Sequence, residues 1–289
     1  MAIIAPIIRP PGEADSFLLQ LTTGCSANTC TFCGAYKNKK FSIKKDSEIF
    51  GDIEKAALRY PHTKKVFLMD GDALVINNSR LLPILYKLNT SFPELRRISS
   101  YANGLNIISR SEAELNDLYN NKLRLIYTGL ESGSQKILDN CKKKSTVKDM
   151  TGAVLSAANA GIKTSLILLL GLGGRKNSEE HILQSSEVIN KIQPAYLNFL
   201  TLMLIPGTPL YMDCQSGKFR ELDSKGILNE MYQIMKSLEL KKTLFYSNHA
   251  SNYLQIFGRL PEKKEYFLRI LEKGLRGDAP LTPEFLRNL

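Results

Sequence analysis

Apolar residues along the first 204 positions fall into short continuous runs, separated by longer stretches where they recur every three or four residues. The runs read as buried strands and the stretches as amphipathic helices. Strands are expected at residues 17–22, 64–69, 96–101, 123–130, 163–170 and 195–204. Helices are expected at 46–60, 79–89, 111–121, 134–140, 146–161 and 178–192. Local signals agree with these assignments. Asp46 stands near the start of its helix, and Ser111-x-x-Glu114 is a capping box. Pro83 is expected in a first helical turn, and Gly161 ends the helix before it.

Strand and helix alternate six times up to about residue 240. That order implies a parallel sheet with right-handed crossovers. The runs are nearly continuous in Val, Ile, Leu and Phe, as in strands covered on both faces. Six units are too few for a closed eight-fold barrel. The expected class is therefore α/β, a partial (β/α)6 parallel barrel with a C-terminal capping segment. Residues 1–240 would form the core and 241–289 the cap, because the pattern breaks near residue 243 and ends in an amphipathic helix.

Parallel α/β folds bind ligands beyond the C-terminal ends of their strands. The unusual residues of this chain fall there: the cysteine cluster, Asp70-Gly71-Asp72, Asn103, Glu131-Ser132-Gly133-Ser134, Gly171-Leu172-Gly173-Gly174 and Ile205-Pro206-Gly207. Cys25, Cys30 and Cys33 lie within nine residues after the first strand. Three thiolates so close make a metal or iron–sulfur clamp. A four-iron cluster held by three cysteines keeps one iron open for another ligand. A structural zinc site would need a fourth donor at recognisable spacing, and no second cysteine pair or nearby histidine supplies one.

The chain has 289 residues, 43% of them apolar, enough for one large core. Five cysteines, three of them crowded together, do not make a disulfide framework and fit a reducing cytoplasm. The apolar N-terminus is broken by prolines and lacks a leading positive charge, so it does not read as a secretory signal. No apolar stretch approaches a membrane span. The net charge of +11 permits an anionic partner: nucleic acid, a phosphorylated substrate or an acidic electron-donor protein. The lysine runs read first as solvated faces or loops. Tryptophan is absent and the aromatic residues do not alternate with the lysines, so no stacking platform for single-stranded nucleic acid is visible.

With these residues in place, the chain resembles the radical S-adenosylmethionine (radical SAM) superfamily. The cysteine cluster follows the first strand, and Phe32 precedes the third cysteine. The segment GLESGSQKILDNCKKKSTVKDMTGAVLSAANAGIK and the turn LMLIPGTPLY resemble the branch containing the Elongator catalytic subunit, the methylthiotransferases and oxygen-independent coproporphyrinogen oxidase. The likeness covers about residues 17–212. There are departures. Four residues rather than three separate the first two cysteines. Asp70-Gly71-Asp72 stands where Gly-Gly-Glu is usual, and Tyr101-Ala102-Asn103 where Glu-Ala-Asn is found.

The resemblance implies a mechanism and a site. Cys25, Cys30 and Cys33 would hold a 4Fe–4S cluster whose fourth iron takes S-adenosylmethionine. One electron would then release a 5′-deoxyadenosyl radical, the cofactors carrying the hard chemistry. Asp70, Gly71 and Asp72 would take the methionine amino group, with Asn103 beside them. Glu131 would accept the ribose hydroxyls. Gly171 and Gly173 would let backbone approach the adenosine, Ile205 and Phe32 would flank the adenine, and Arg175 would meet the methionine carboxylate. His249, in the polar segment SNHASNY, is the catalytic candidate for proton transfer or substrate binding.

Without the resemblance, plainer readings stand beside these. Asp70 and Asp72 end a strand and cap a turn, Glu131 is an exposed acid entering a helix, and the glycines form an ordinary loop exit. Arg175 is a solvated loop residue and His249 a structural histidine. The leading function is radical chemistry on a small organic substrate or cofactor precursor. Radical modification of RNA or another polyanion is one alternative, and a non-catalytic metal-binding docking protein is another. Lys37, Lys39, Lys40, Lys44 and Lys45 are candidates to receive an acidic flavodoxin or ferredoxin.

Overall fold

The computed structural model describes residues 8–287. Contacts divide the chain into two compact units. The first takes in the chain up to Asn28, Ala35–Thr128 and Gly152–Thr164. It begins with strand β1 (Phe17–Gln20) and the short antiparallel pair β2 (Thr22–Thr23) and β3 (Ser42–Ile43). Helix α1 (Asp46–Arg59), strand β4 (Lys65–Met69), helix α2 (Asn78–Ser91) and strand β5 (Arg97–Tyr101) follow. Then come helices α3 (Gly104–Ile108) and α4 (Glu112–Asn120) and strand β6 (Leu123–Glu131). β4 pairs in parallel with β1 on one side and β5 on the other, and β5 pairs in parallel with β6.

The helical spacing is explained by what the helices bury. Ile49 and Ile53 of α1, Leu81, Ile84, Leu85 and Leu88 of α2, and Leu115 and Leu118 of α4 are fully buried against Leu19, Val66, Leu68 and Ile98 of the strands. Each such side chain contributes about 1.5–3 kcal/mol. The capping box of α4 forms: Ser111 accepts the Glu114 N–H, and Glu114 accepts the Ser111 N–H at 2.9 Å. Pro83 is not in a first turn. The side chain of Asn77 caps the helix by accepting the Arg80 N–H, which puts Pro83 inside α2. It is tolerated because Pro83 and Ser79 are both exposed, so the Ser79 carbonyl that lost its partner faces water. Buried Glu13 joins elements distant in sequence. It accepts from Arg97 at 2.8 Å, from the Tyr127 hydroxyl at 2.8 Å and from Ser16 at 2.5 Å.

The second unit takes in Thr29–Gly34, Gly129–Thr151 and the chain from Ser165 onward. It carries the end of β6, then helix α5 (Gln135–Asn140) and the start of helix α6 (Val147–Asn159). Strand β7 (Lys163–Leu170), helix α7 (Gly174–Ile192) and strand β8 (Tyr196–Thr201) are followed by helices α8 (Pro209–Gln215) and α9 (Ser224–Ser237). Strands β9 (Leu244–Tyr246) and β10 (Phe257–Arg259) and helix α10 (Lys264–Arg276) complete it. β8 pairs in parallel with β7 and with β9, and β10 runs antiparallel to β9. Phe199 meets Phe245 edge to face and Phe245 meets Phe267 at a tilt, with ring centres 4.9 and 5.7 Å apart, and the three tie β8, β9 and α10 together.

Two local features differ from the sequence pattern. α7 starts at Gly174 rather than Ser178, with a break in helical geometry at Asn177. The tail also contributes strands: α9 and β9 repeat the helix-then-parallel-strand order once more, in a strand of three residues, too short to show a period. No helix among the described residues is long and apolar enough to cross a membrane.

Candidate functional site

In the first unit the loop that carries Cys25 is seated on the end of β4. The Gly71 N–H donates to the Gly24 carbonyl at 3.1 Å, and the Gly24 N–H donates to Asp70 Oδ2 at 3.1 Å. Gln20 Nε2 and Lys39 Nζ reach the same oxygen at 3.2 and 2.7 Å. Asp70 Oδ1 is buried with no hydrogen-bond partner. Gly71 is small for a reason. A Cβ there would lie 2.8 Å from the Tyr36 ring and 3.0 Å from the Cys25 Cβ. Asp72 is buried and serves as a hub: it accepts from Ser26, from the Asn103 N–H at 3.0 Å and from Asn106 Nδ2 at 2.6 Å. Burial pushes its carboxyl up, against those three donors. Cys25, Asp70, Gly71, Asp72 and Asn103 are thus one connected group.

In the second unit residues 29–33 are strung between two helices. Thr29 Oγ1 donates to the Lys142 carbonyl at 2.7 Å, and the Thr31 N–H donates to the Cys141 carbonyl at 2.9 Å, just past α5. The Leu210 N–H of α8 donates to the Thr31 carbonyl at 3.1 Å. The Cys33 N–H turns back to the Cys30 carbonyl at 3.3 Å. Phe32 packs on the apolar cluster that includes Ile137, Cys141, Leu172 and Leu210. Ile205 sits over Gly34, whose added Cβ would lie 2.7 Å from it. None of the five cysteines is in a disulfide.

Glu131 is not the exposed acid of the plain reading. Its backbone is left-handed (φ 65°), a conformation that costs a residue with a Cβ about 1–3 kcal/mol. That turn folds the carboxylate back over Gly129, where any Cβ would collide with it. The side chain is 15% exposed and stands 3.7 Å from Lys143 Nζ. Burial pushes the carboxyl up, and Lys143 opposes the shift. The following residues are set by α7. Gly133 lies against the backbone of Gln184 so closely that no Cβ fits, and Ser132 bonds His181 Nδ1 at 2.8 Å. Ser134 caps α5 by accepting the Ile137 N–H.

The glycines after β7 approach the protein itself. A Cβ on Gly171 would meet Ile227 at 2.7 Å, and one on Gly173 would meet the Asn177 carbonyl oxygen at 2.8 Å. Arg175 is 62% exposed; its Nε donates to the Glu221 carbonyl at 3.1 Å and its Nη2 lies 3.7 Å from Asp223. Gly173 and Arg175 line a cavity of about 700 Å³ with Cys141 and Leu172. His249 Nδ1 accepts the Ser251 N–H at 3.1 Å and lies 2.9 Å from its hydroxyl. Burial lowers its pKa, which favours the neutral ring. Ser251 Oγ in turn accepts the Thr201 N–H at the end of β8, so His249 braces that strand end through Ser251.

Several partners were not legible in the sequence. Lys39 and Lys44, read as surface charge, are 9% and 10% exposed and are bound to Asp70 and Asp52, each at 2.7 Å. They are not free to dock a partner. Glu230 is buried in α9 and accepts the Gly171 N–H at 2.5 Å and the Ser178 hydroxyl at 2.7 Å. Burial pushes Glu230 up to about 7 and its neighbour His181 down to about 4. The signal for Glu230 was its position on the apolar stripe of Ile227, Met231 and Ile234.

The loop that carries Cys25 is thus seated on the end of a parallel strand, and β6 ends in a left-handed Glu131. The chain matches the model of the radical SAM superfamily over residues 19–186, more than half its length, and belongs to that superfamily. Similar solved structures include methylornithine synthase (TM-score 0.54, 16% identity, covering 78% of this chain and 63% of that one). Coproporphyrinogen III oxidase from Escherichia coli gives TM-score 0.56 and 13% identity over 76% of this chain and 52% of that one. Elp3 of the archaeon Methanocaldococcus infernus, lacking its N-terminus, gives TM-score 0.54 and 16% identity over 92% and 64%. These likenesses show the fold, an α/β partial barrel. The chain spans 52–64% of the length of these three. No curated protein matches it.

Proposed function

We propose that this chain reductively cleaves S-adenosylmethionine at a 4Fe–4S cluster ligated by Cys25, Cys30 and Cys33, and acts on a small organic substrate or cofactor precursor. The observation that carries this reading is the set of three cysteines, none in a disulfide, in one nine-residue stretch whose backbone is tied down on both sides of the cluster loop. Among the described residues no three His, Cys, Asp or Glu side chains are grouped around a single-ion position. A cubane asks for a different spacing, since each thiolate binds a different iron.

When bound, the cluster and its sulfonium ligand supply a 5′-deoxyadenosyl radical. The chain's own residues do the rest. Gly71 leaves room for Cys25, and Asp70, with one buried oxygen still unpartnered, suits an ammonium group. Asp72 fixes Asn103 and Ser26 relative to each other. Glu131, aimed by its left-handed backbone, would accept two ribose hydroxyls, with Lys143 favouring its charged form. Phe32 and Ile205 would offer apolar surface to the adenine. His249 would act by positioning the end of β8. A reducing compartment and an acidic flavodoxin or ferredoxin donor belong to the same reading, with half-buried Lys37 and exposed Lys40 and Lys45 the remaining candidates to receive the donor.

Two of the similar structures are named for small-molecule chemistry, methylornithine synthesis and coproporphyrinogen III oxidation. A cavity of only about 240 Å³ beyond β7 and β8 supports a small substrate here. The test is anaerobic reconstitution with iron and sulfide, followed by reductant and S-adenosylmethionine. Release of 5′-deoxyadenosine is expected from the wild type and not from Cys30→Ala. Zinc in a filled four-donor site, with no S-adenosylmethionine cleavage, would overturn the proposal.

A further inference from the structure

The 240 Å³ cavity lies where two parallel strands end. Gly171 follows β7, Thr201 and Leu202 close β8, and Tyr253, Glu284 and Arg287 complete the part of the wall with chemistry in it. At about 30 Å³ per water it holds roughly eight water-sized groups, the size of a small acid rather than a macromolecule.

Arg287 is 4% exposed and firmly placed. Its Nε donates to the Ser251 carbonyl at 2.7 Å and its Nη2 reaches the Leu202 carbonyl at 3.5 Å. The guanidinium lies 3.9 Å from the centre of the Tyr253 ring. Its remaining nitrogen, Nη1, donates to both oxygens of Glu284 at 2.6 and 2.7 Å. The Tyr253 hydroxyl donates to Glu284 Oε2 at 2.7 Å. Burial pushes the Tyr253 phenol up to about 12, so it remains a donor.

A buried cation and a half-buried phenol therefore converge on one carboxylate. The carboxylate they hold is 70% exposed, on a short turn. The asymmetry matters. Glu284 can swing into water at little cost, whereas Arg287 cannot leave and is poorly stable unpaired. Whatever displaces Glu284 must bring its own carboxylate. Glu221, also on the wall, counts against a ligand with a second one.

We propose that Arg287 and Tyr253 form a carboxylate-binding subsite in this cavity, with Glu284 as its internal occupant. The substrate of the radical reaction is then a small monocarboxylic acid that displaces Glu284. Only the word substrate rests on the function proposed above; the binding does not.

The test is a ligand-observed NMR titration of the full chain with butyrate and, as control, butyramide, without reductant. Butyrate binds and butyramide does not. Glu284→Gln tightens butyrate about five- to ten-fold, because a neutral amide competes less well for a guanidinium than a carboxylate does. Tyr253→Phe weakens it several-fold with the thermal melt little changed. Arg287→Gln abolishes it, and Glu284→Gln keeps the test decisive if Arg287→Gln fails to fold. Equal binding of amide and acid, or no tightening in Glu284→Gln, overturns the subsite. Displacement of butyrate by S-adenosylmethionine overturns the substrate assignment, because the methionine carboxylate is then the occupant. Failure to form 5′-deoxyadenosine in the separate assay would remove the radical reaction and leave these binding results standing.

Discussion

Alanine at position 71 tests whether the end of β4 shapes the Cys25 loop. Gly71 is not among the glycines with left-handed backbone, so alanine strains no dihedral and the effect is one of space alone. The new methyl would lie 2.8 Å from Tyr36 Cε2, 3.0 Å from Cys25 Cβ and 3.2 Å from the Gly24 carbonyl oxygen. None of the three yields easily. Tyr36 is 6% exposed, and Gly24 is bonded on both sides to residues 70 and 71. Overpacking of this kind costs about 1–3 kcal/mol, and the displacement falls on Cys25. Gly51→Ala in α1 is the matched control. Nothing lies within 4 Å of its added Cβ, and the exchange should stabilise the helix by about 0.5–1 kcal/mol. Urea unfolding and iron retention after anaerobic reconstitution, under challenge by a chelator, read both variants. Gly71→Ala should lose stability and release iron faster, while Gly51→Ala should gain stability and hold iron like the wild type. Wild-type stability and iron retention in Gly71→Ala would refute the argument that this glycine makes room for the cluster loop.

Asp70→Asn replaces the carboxylate that Lys39 meets at 2.7 Å by a neutral amide and should destabilise the chain by about 1.5–3 kcal/mol in urea unfolding; a loss under about 0.5 kcal/mol would show the pair to be idle. Glu131→Gln should weaken S-adenosylmethionine binding about ten-fold, as charged hydrogen bonds become neutral ones, measured by equilibrium dialysis; unchanged affinity would remove Glu131 from the ribose. Glu230 and His181 should oppose each other in pH. The raised Glu230 contributes stability that is full below its unfolded value near 4.5 and lost as pH climbs through about 7. The depressed His181 contributes stability present above 6.5 and lost as pH falls through about 4. Wild-type stability should therefore be nearly flat from about pH 4.5 to 6.5, whereas Glu230→Gln should gain about 3 kcal/mol across that rise. Parallel curves for the two proteins would contradict this.

Most strands of the barrel were legible because they are runs of β-branched or large apolar residues (β5, RISSY, is not), and the helices because Leu81, Leu85 and Leu88 or Leu115 and Leu118 repeat at helical spacing. Capping of α4 was legible because its partners are three residues apart. What escaped was non-local or too short. Lys39 finds Asp70 across 31 positions, and nothing in a lysine run marks which member turns inward. The left-handed backbone of Glu131 leaves no trace in residue type, although Gly129, two positions earlier, is its necessary companion. β9 has three residues, too few to show a period, and the strand it pairs with, β8, is distant in sequence. The candidate cysteines were visible at once, because spacing alone carries a chelating motif. Arg287 and Glu284 were invisible, because their partner Tyr253 lies more than thirty residues away.

The central claim is that a cluster held at three corners presents its fourth iron to S-adenosylmethionine. Electron paramagnetic resonance of the reconstituted, reduced chain, recorded before and after S-adenosylmethionine is added, addresses it directly. A 4Fe–4S signal whose shape changes on addition is the predicted result. A cluster signal indifferent to S-adenosylmethionine, or a chain that takes up stoichiometric zinc and yields no signal, would contradict it.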